Sequence, residues 1–353
     1  MSFLQVLQKF LLPFSYLYGG ITDIRNYLYD KNRLPSVHFD IPTINIGNLT
    51  VGGTGKTPHI EYLLYWLKET YQIATLSRGY GRKTKGFRLA TKESSAQSIG
   101  DEPMQFYEKF SPDVVVSVGE ERILAVPQIL HLFPETNLIL LDDAYQHRAI
   151  RPDINILLTD YQRLFYKDFP FPAGRLRERR KQAKRADIII VSKCPNFLKK
   201  EEQANISKQI AYYNANSPIF FSTFTYAEPK NIFSADYKFS FKQVILVSAI
   251  AQPKHFEEAV QKKVIVQEHF QFSDHHFFTE KDTEVIAKIL EKDKNMGLIC
   301  TEKDAVKLKN LINLHQFSTR IFSIAIRVSF LDATMEQDFQ KNILEKIEKN
   351  KVL

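Results

Sequence analysis

Residues 41–58, Ile-Pro-Thr-Ile-Asn-Ile-Gly-Asn-Leu-Thr-Val-Gly-Gly-Thr-Gly-Lys-Thr-Pro, constrain the fold of this chain more than any other stretch. The apolar run over 41–46 predicts a strand, Gly52-Gly53-Thr54-Gly55 predicts a tight turn, and Lys56-Thr57 open a predicted helix with Tyr62, Leu63, Trp66 and Leu67 on one side. Glycines let successive backbone N–H groups converge on an anion, and a helix N-terminus adds partial positive charge there. In such a phosphate-binding loop Lys56 reaches the β- and γ-phosphates and the Thr57 hydroxyl ligates Mg²⁺. The general pattern G-x-x-x-x-G-K-[ST] has glycine where this chain has Thr50, so the bend is expected from Gly52-Gly53. A chance glycine turn is the alternative, and the order strand, turn, helix argues against it.

Further predicted strands at 72–77, 113–118, 138–143, 154–159 and 186–194 alternate with helical stretches, the pattern of a doubly wound α/β sheet. Ligands bind at the carboxyl ends of such strands, where this chain places polar groups. Arg78-Gly-Tyr-Gly-Arg82 reads as an anion-facing loop. Asp101, in Gly100-Asp-Glu-Pro, reads as a helix N-cap, and Arg122 stands at the head of another helix. Leu138-Ile-Leu-Leu-Asp-Asp143 ends an apolar strand in two carboxylates, Asp142 and Asp143, suited to holding Mg²⁺. Gln146 and His147 follow on the same edge. A basic run, Arg175, Arg177, Arg179, Arg180, Lys181, Lys184 and Arg185, reads either as a solvated face or as a contact for substrate or lipid phosphate.

The chain's 353 residues suggest two domains, and a junction is expected near 217–240, where an aromatic β-like run gives way to polar turns. Beyond it a second, smaller α/β unit over 241–353 carries strands at 243–248, 264–272, 296–300 and 320–328, with no phosphate loop of its own. The net charge of +8 suits an anionic partner: nucleotide, phospholipid or nucleic acid. Cys194 and Cys300 are isolated, which argues against a disulfide framework or cysteine metal site. The adjacent His275 and His276 with Asp274 suit hydrogen bonding or proton transfer better than a metal site. The first 30 residues are rich in Phe, Leu and Tyr but too interrupted to span a bilayer, which leaves a helix docked on the protein or one lying in a membrane interface.

Seven segments together resemble the tetraacyldisaccharide 4'-kinase family: Asn48 to Pro58, Ser77-Arg-Gly-Tyr-Gly-Arg82, Gly100-Asp-Glu-Pro103, Asp142-Asp-Ala-Tyr-Gln-His-Arg148, Gly174-Arg-Leu-Arg-Glu178, Phe272-Ser-Asp-His275 and Thr301-Glu-Lys-Asp304. The resemblance implies a P-loop NTPase-like kinase domain (31–216), a β linker (217–240), a C-terminal α/β domain (241–353), and a cleft between the domains. It implies transfer of the γ-phosphate of ATP, with Mg²⁺, to the 4'-hydroxyl of a tetraacylated glucosamine disaccharide 1-phosphate in lipid A biosynthesis. By the same resemblance Gly52 to Thr57, Gln146 and His147 bind the nucleotide, and Thr57, Asp142 and Asp143 bind the metal. Asp101 is the base, with His275 assisting, and Arg78, Arg122 and Glu178 contact the substrate. Residues 1–30 are then a membrane-interface helix region, which puts the enzyme peripherally on the cytoplasmic face of the inner membrane with no nucleic-acid partner. Two rivals are a nucleotide-switch protein and a kinase of soluble small molecules.

Overall fold

The computed structural model describes residues 3–351. Two compact units divide the chain, and each is discontinuous. The first comprises the chain up to Arg78, Pro112–Phe224, and the chain from Val328 onward; the second comprises Gly79–Ser111 and Thr225–Arg327.

In the first unit seven strands, β1 (Thr43–Asn48), β2 (Ile73–Ser77), β3 (Val114–Val118), β4 (Leu138–Asp142), β5 (Ile154–Asp160), β6 (Ile188–Ser192) and β7 (Ile219–Tyr226), lie in the order β7-β6-β5-β1-β4-β2-β3. All adjacent pairs among them are parallel. The continuous apolar runs that predicted these strands reflect their position: Ile188–Ser192 and Thr43–Asn48 are buried throughout, as parallel strands covered on both faces must be. β1 lies between β4 and β5, so the strand order reverses at its carboxyl end, the switch point where doubly wound sheets bind ligands. Ile46 of β1 stands in register with Asp142 of β4. That register brings the glycine turn and the acidic strand end side by side.

A helix at Phe3–Asp30, continuous through Pro13, packs one face on this unit. Ser15 Oγ accepts from the Ala173 amide (2.8 Å), Tyr18 donates to the Arg177 carbonyl (3.0 Å), and Asp23 pairs with Arg179 and Lys181. Its other face leaves Leu7, Phe10, Phe14, Leu17, Ile21, Ile24 and Tyr27 exposed at steps of three and four, one helical stripe. Docking and an exposed apolar face thus coexist in one helix. Met1 and Ser2 lie outside the described residues, as do the side chains of Phe3, Leu4 and Val6. Among the described residues no helix is long and apolar enough to cross a membrane.

The second unit is built on a smaller sheet of β8 (Gln243–Ser248), β9 (Ile265–Gln271), β10 (Met296–Thr301) and β11 (Ile321–Ile324), in the order β9-β8-β10-β11 and parallel, with Lys230–Asn231 antiparallel at the far edge.

The linear domain boundaries need correction. Residues 79–111, assigned to the kinase domain, belong to the second unit, where Lys109 on the helix Asp101–Phe110 pairs with Glu302 at 2.6 Å. The C-terminal helix Ala333–Lys351 belongs to the first, where Tyr62 donates to Glu336 (2.7 Å) and accepts from Gln340 (2.9 Å). The expected linker is divided as well: Ile219 to Phe224 are part of the first sheet. The single strand expected at 320–328 is two, β11 and Ile326–Phe330, and the latter lies beside β7. Their apolar alternation runs on through the break at Ala325, whose carbonyl bonds Ala227, so periodicity alone does not reveal it. Asp101 is the first residue of its helix and not its N-cap, which is Gly100.

Candidate functional site

After β1 the chain does not turn at once. Val51 donates to the Arg175 carbonyl (2.8 Å) and Arg177 to the Leu49 carbonyl (2.7 Å), while Thr50 bridges to Leu176. Thr50 is therefore extended, and the bend falls on Gly52, at φ +114°, as expected. Gly55, at φ +89°, precedes the helix Lys56–Leu67, and a Cβ there would also strike the Phe224 ring. The loop between the glycines is braced from below. Asn48 Nδ2 donates to Thr54 Oγ1 (2.7 Å), Ser192 Oγ to the Thr54 carbonyl (2.8 Å), and Lys193 Nζ to the Gly53 carbonyl while pairing with Asp160 (2.9 Å).

Lys56 Nζ lies 3.5 Å from Asp143, whose two oxygens accept from Arg177 Nη1 at 2.8 and 2.9 Å. Burial alone would raise the Asp143 pKa, but Lys56 and Arg177 outweigh it and hold the carboxyl below its usual range. Arg177 also reaches Gln146 Oε1 (3.2 Å), and Gln146 Nε2 donates to the Asn48 carbonyl (2.9 Å). One guanidinium thus ties the acidic strand end to the residues after it. Burial, followed by the nearby Arg122 charge, lowers the His147 pKa.

The three expected substrate contacts differ in placement. Arg78 is exposed. Arg122 is 2% exposed; its guanidinium donates to the carbonyls of Gly119 (2.8 Å), Glu120 (3.2 Å) and Asp142 (3.2 Å), and burial lowers its pKa to about 10. Glu178 is buried too, accepting from Asn26 (3.2 Å) and paired with Arg185. Most of the basic run is likewise engaged inside the unit, by Asp23, Asp30, Asp143 and Glu178.

A second cluster forms within the second unit. Asp101 Oδ2 lies 3.2 Å from His275 Nδ1 and 3.2 Å from Lys307 Nζ. Lys303 Nζ lies 3.2 Å from His275 Nε2, and an ammonium only donates, so Nε2 accepts and the Nδ1–H faces Asp101. His276 stands apart, bonded to Asp282 (3.1 Å) and stacked on Phe272. Among the described residues no group of three or more His, Cys, Asp and Glu is placed to hold a metal. Ser248, His269 and Glu257 are spaced like a hydrolytic triad (2.8 and 3.0 Å). Ser248 is fully buried, however, and the Ala249 amide beside it is taken by Asp304, so neither nucleophile nor oxyanion donor is available.

Comparison with known proteins decides the family. The family model for tetraacyldisaccharide-1-P 4'-kinase matches residues 7–348. The chain belongs to this family. It is 42% identical over 352 residues to the tetraacyldisaccharide 4'-kinase of Flavobacterium johnsoniae, covering 98% of this chain and 99% of that one. It is 44% identical over 347 residues to that of Flavobacterium psychrophilum, covering 97% of each. The crystal structure of LpxK from Aquifex aeolicus in complex with ATP superposes with a TM-score of 0.74 at 28% identity, over 97% of this chain and 99% of that chain. The first unit is thus the P-loop NTPase-like domain of a kinase.

In this tetraacyldisaccharide-1-P 4'-kinase family chain, Lys56, Asp143 and Gln146 lie together in the first unit, and Asp101 and His275 in the second. Sequence reading gave no separate role to Arg177, Lys193, Lys303 or Lys307. Lys193 follows the end of β6, so the sheet-edge rule points to it. Arg177 was visible only as one charge among seven. Lys307 carried no sequence signature beyond its spacing of four from Lys303.

Proposed function

We propose that the chain transfers the γ-phosphate of ATP to the 4'-hydroxyl of a tetraacylated glucosamine disaccharide 1-phosphate, at the cytoplasmic face of the inner membrane. The observation that carries this reading is a carboxylate, Asp101, held at 2% side-chain exposure by a histidine and a lysine. A nucleotide switch has no use for such a base; an alcohol acceptor needs one. The acceptor oxygen forms a bond to the γ-phosphorus as the bond from phosphorus to the β,γ-bridging oxygen breaks, ADP leaves, and the hydroxyl proton passes to Asp101. The transition state is loose and proton transfer late, so a carboxylate of low basicity suffices. His275, donating from Nδ1, orients Asp101. Gly52, Gly53, Thr54 and Gly55 present backbone amides to the phosphates, Lys56 adds its charge, and Gln146 and His147 line the same strand end.

The residues present fit Mg²⁺. The Thr57 hydroxyl and the Asp142 and Asp143 carboxylates are hard oxygen donors, and Lys56 and Arg177 hold Asp143 in the anionic form that ligates a metal. When bound, the ion supplies charge neutralisation on the β- and γ-phosphates. Arg78, the most exposed of the three expected substrate contacts, suits direct contact with the lipid. Arg122 and Glu178 act from buried positions by fixing the Asp142 strand end and the Arg185 side chain.

The membrane reading rests on the exposed apolar stripe of the first helix and on a cavity of about 280 Å³ beside it. Leu12, Tyr16, Phe169 and Pro170 give that cavity an apolar wall, and Arg179, Arg180 and Lys181 a cationic rim. That combination suits an acylated phosphate. Incubation with labelled ATP, Mg²⁺ and the disaccharide 1-phosphate lipid tests the proposal. Label should appear in the lipid, whereas phosphate release that is the same with and without lipid would support the switch reading.

A further inference from the structure

The helix Glu302–Leu308 is anchored from both sides of its first turn. Thr301 Oγ1 accepts from the Asp304 amide (3.2 Å) and donates to Asp304 Oδ2 (2.6 Å), and the same oxygen accepts from the Ala249 amide (2.9 Å) at the end of β8. Asp304 is fully buried and immobilised by these bonds. Lys307, one turn on, lies 3.3 Å from Asp304 Oδ1, 3.0 Å from the His276 carbonyl and 3.2 Å from Asp101 Oδ2, with its ammonium 5.3 Å from the centre of the Phe278 ring. Two of its protons thus have hydrogen-bond acceptors, Asp101 Oδ2 and the His276 carbonyl, Asp304 Oδ1 stands at ion-pair distance, and only 4% of the side chain is exposed. An ammonium so enclosed cannot swing to solvent.

We propose that Lys307 is a positioning residue for phosphoryl transfer: fixed by Asp304, it keeps Asp101 anionic and, by gripping Oδ2 together with His275, presents Oδ1 to the acceptor hydroxyl. This rests on Asp101 being the base. The charged groups around Asp101 are His275 from the loop after β9, Lys303 and Lys307 from the helix Glu302–Leu308, and Glu102 on its own helix. Glu102 is paired with Lys303 (3.3 Å), as is Asp274 (3.2 Å), whereas among the described residues Lys307 is shared only with Asp304 (3.3 Å) and touches Asp101 directly (3.2 Å), so Lys307 is the lysine that acts on Asp101 at contact distance. Burial raises the Asp101 pKa, yet the His275 hydrogen bond and the two lysines bring it below its usual value.

Turnover measured against pH for the wild type, Lys307→Met, Lys307→Arg and Asp101→Asn tests the idea. Lys307→Met should lose about tenfold or more near pH 6 and regain most of it near pH 9, with the KM for ATP unmoved, and Lys307→Arg should keep the wild-type profile. A Lys307→Met profile superimposable on wild type, or depressed equally at every pH, overturns the proposal. Asp101→Asn separates the two layers: if it retains turnover, the base reading fails; if it is inactive while Lys307→Met is normal, only the role of Lys307 fails. Should Lys307→Met not fold, the Asp101 carboxyl of the wild-type protein can be followed by ¹³C NMR. Titration below free aspartate, at about 3.9, is expected, and titration at or above it contradicts the proposal.

Discussion

Asp143 in the first unit and Asp101 in the second both carry pKa values lowered by neighbouring cations, but 28% of the Asp143 side chain is exposed and only 2% of Asp101. The partners of Asp143, Lys56 and Arg177, are 16% and 28% exposed; Lys307, beside Asp101, is 4% exposed. The Asp143 pairs are the more accessible of the two, so Lys56 and Arg177 can turn to an incoming polyphosphate at less cost than Lys307 can leave Asp101. A desolvated pair does not exchange, because breaking it strands a buried charge. The first cluster is thus suited to meeting a ligand and the second to holding one proton acceptor in a fixed state.

Apart from the loss of Asp101 itself, the largest effect expected from this contrast is at Lys56. Lys56→Met removes the cation aimed at the phosphates and should lower turnover about 10²–10³-fold while weakening ATP binding, read by steady-state kinetics and calorimetry. Wild-type ATP affinity in that variant would place the phosphate grip elsewhere.

His59 sharpens the comparison from the other direction, as a buried group with no counter-charge. Its Nδ1 lies 2.7 Å from the Gly55 carbonyl and its Nε2 2.9 Å from Ser222 Oγ, and burial lowers its pKa from 6.5 to about 4. The folded pKa lies below the unfolded one, so the unfolded chain takes up the proton first. Its contribution is intact above 6.5 and lost as pH falls toward 4, up to about 3 kcal/mol. Urea midpoints across that range should fall steeply for the wild type and less steeply for His59→Gln; parallel slopes would remove His59 from the account.

The smallest effect is expected where neither cluster is touched. Phe14→Ser with Leu17→Ser, at positions 55% and 66% exposed, should weaken binding to anionic vesicles about tenfold or more and leave ATP affinity unchanged. Unchanged vesicle binding would return the helix to a purely docked role.

How far each cluster was legible in the sequence follows from the same contrast. The phosphate loop is contiguous, so strand, glycine turn, Lys56 and helix can be read in one window, and the departure at Thr50 is resolved by its pairing with Leu176. Asp142 and Asp143 end an apolar run and were equally plain. Asp101, His275 and Lys307 lie more than a hundred residues apart, or on different elements, and no local pattern joins them. Family resemblance supplied the first two, and the third needed coordinates. Domain boundaries failed for a related reason: residues 79–111 and the C-terminal helix each group with a different unit from the residues next to them in sequence, which composition does not record.

Nucleotide binding and single-turnover transfer measured side by side on Asp101→Asn test the division of labour most directly. The account predicts ATP affinity within about twofold of wild type and transfer to lipid slowed by about 10²–10⁴-fold, the range of a lost general base. Transfer near the wild-type rate, or a loss of ATP affinity as large as the loss of transfer, would contradict it.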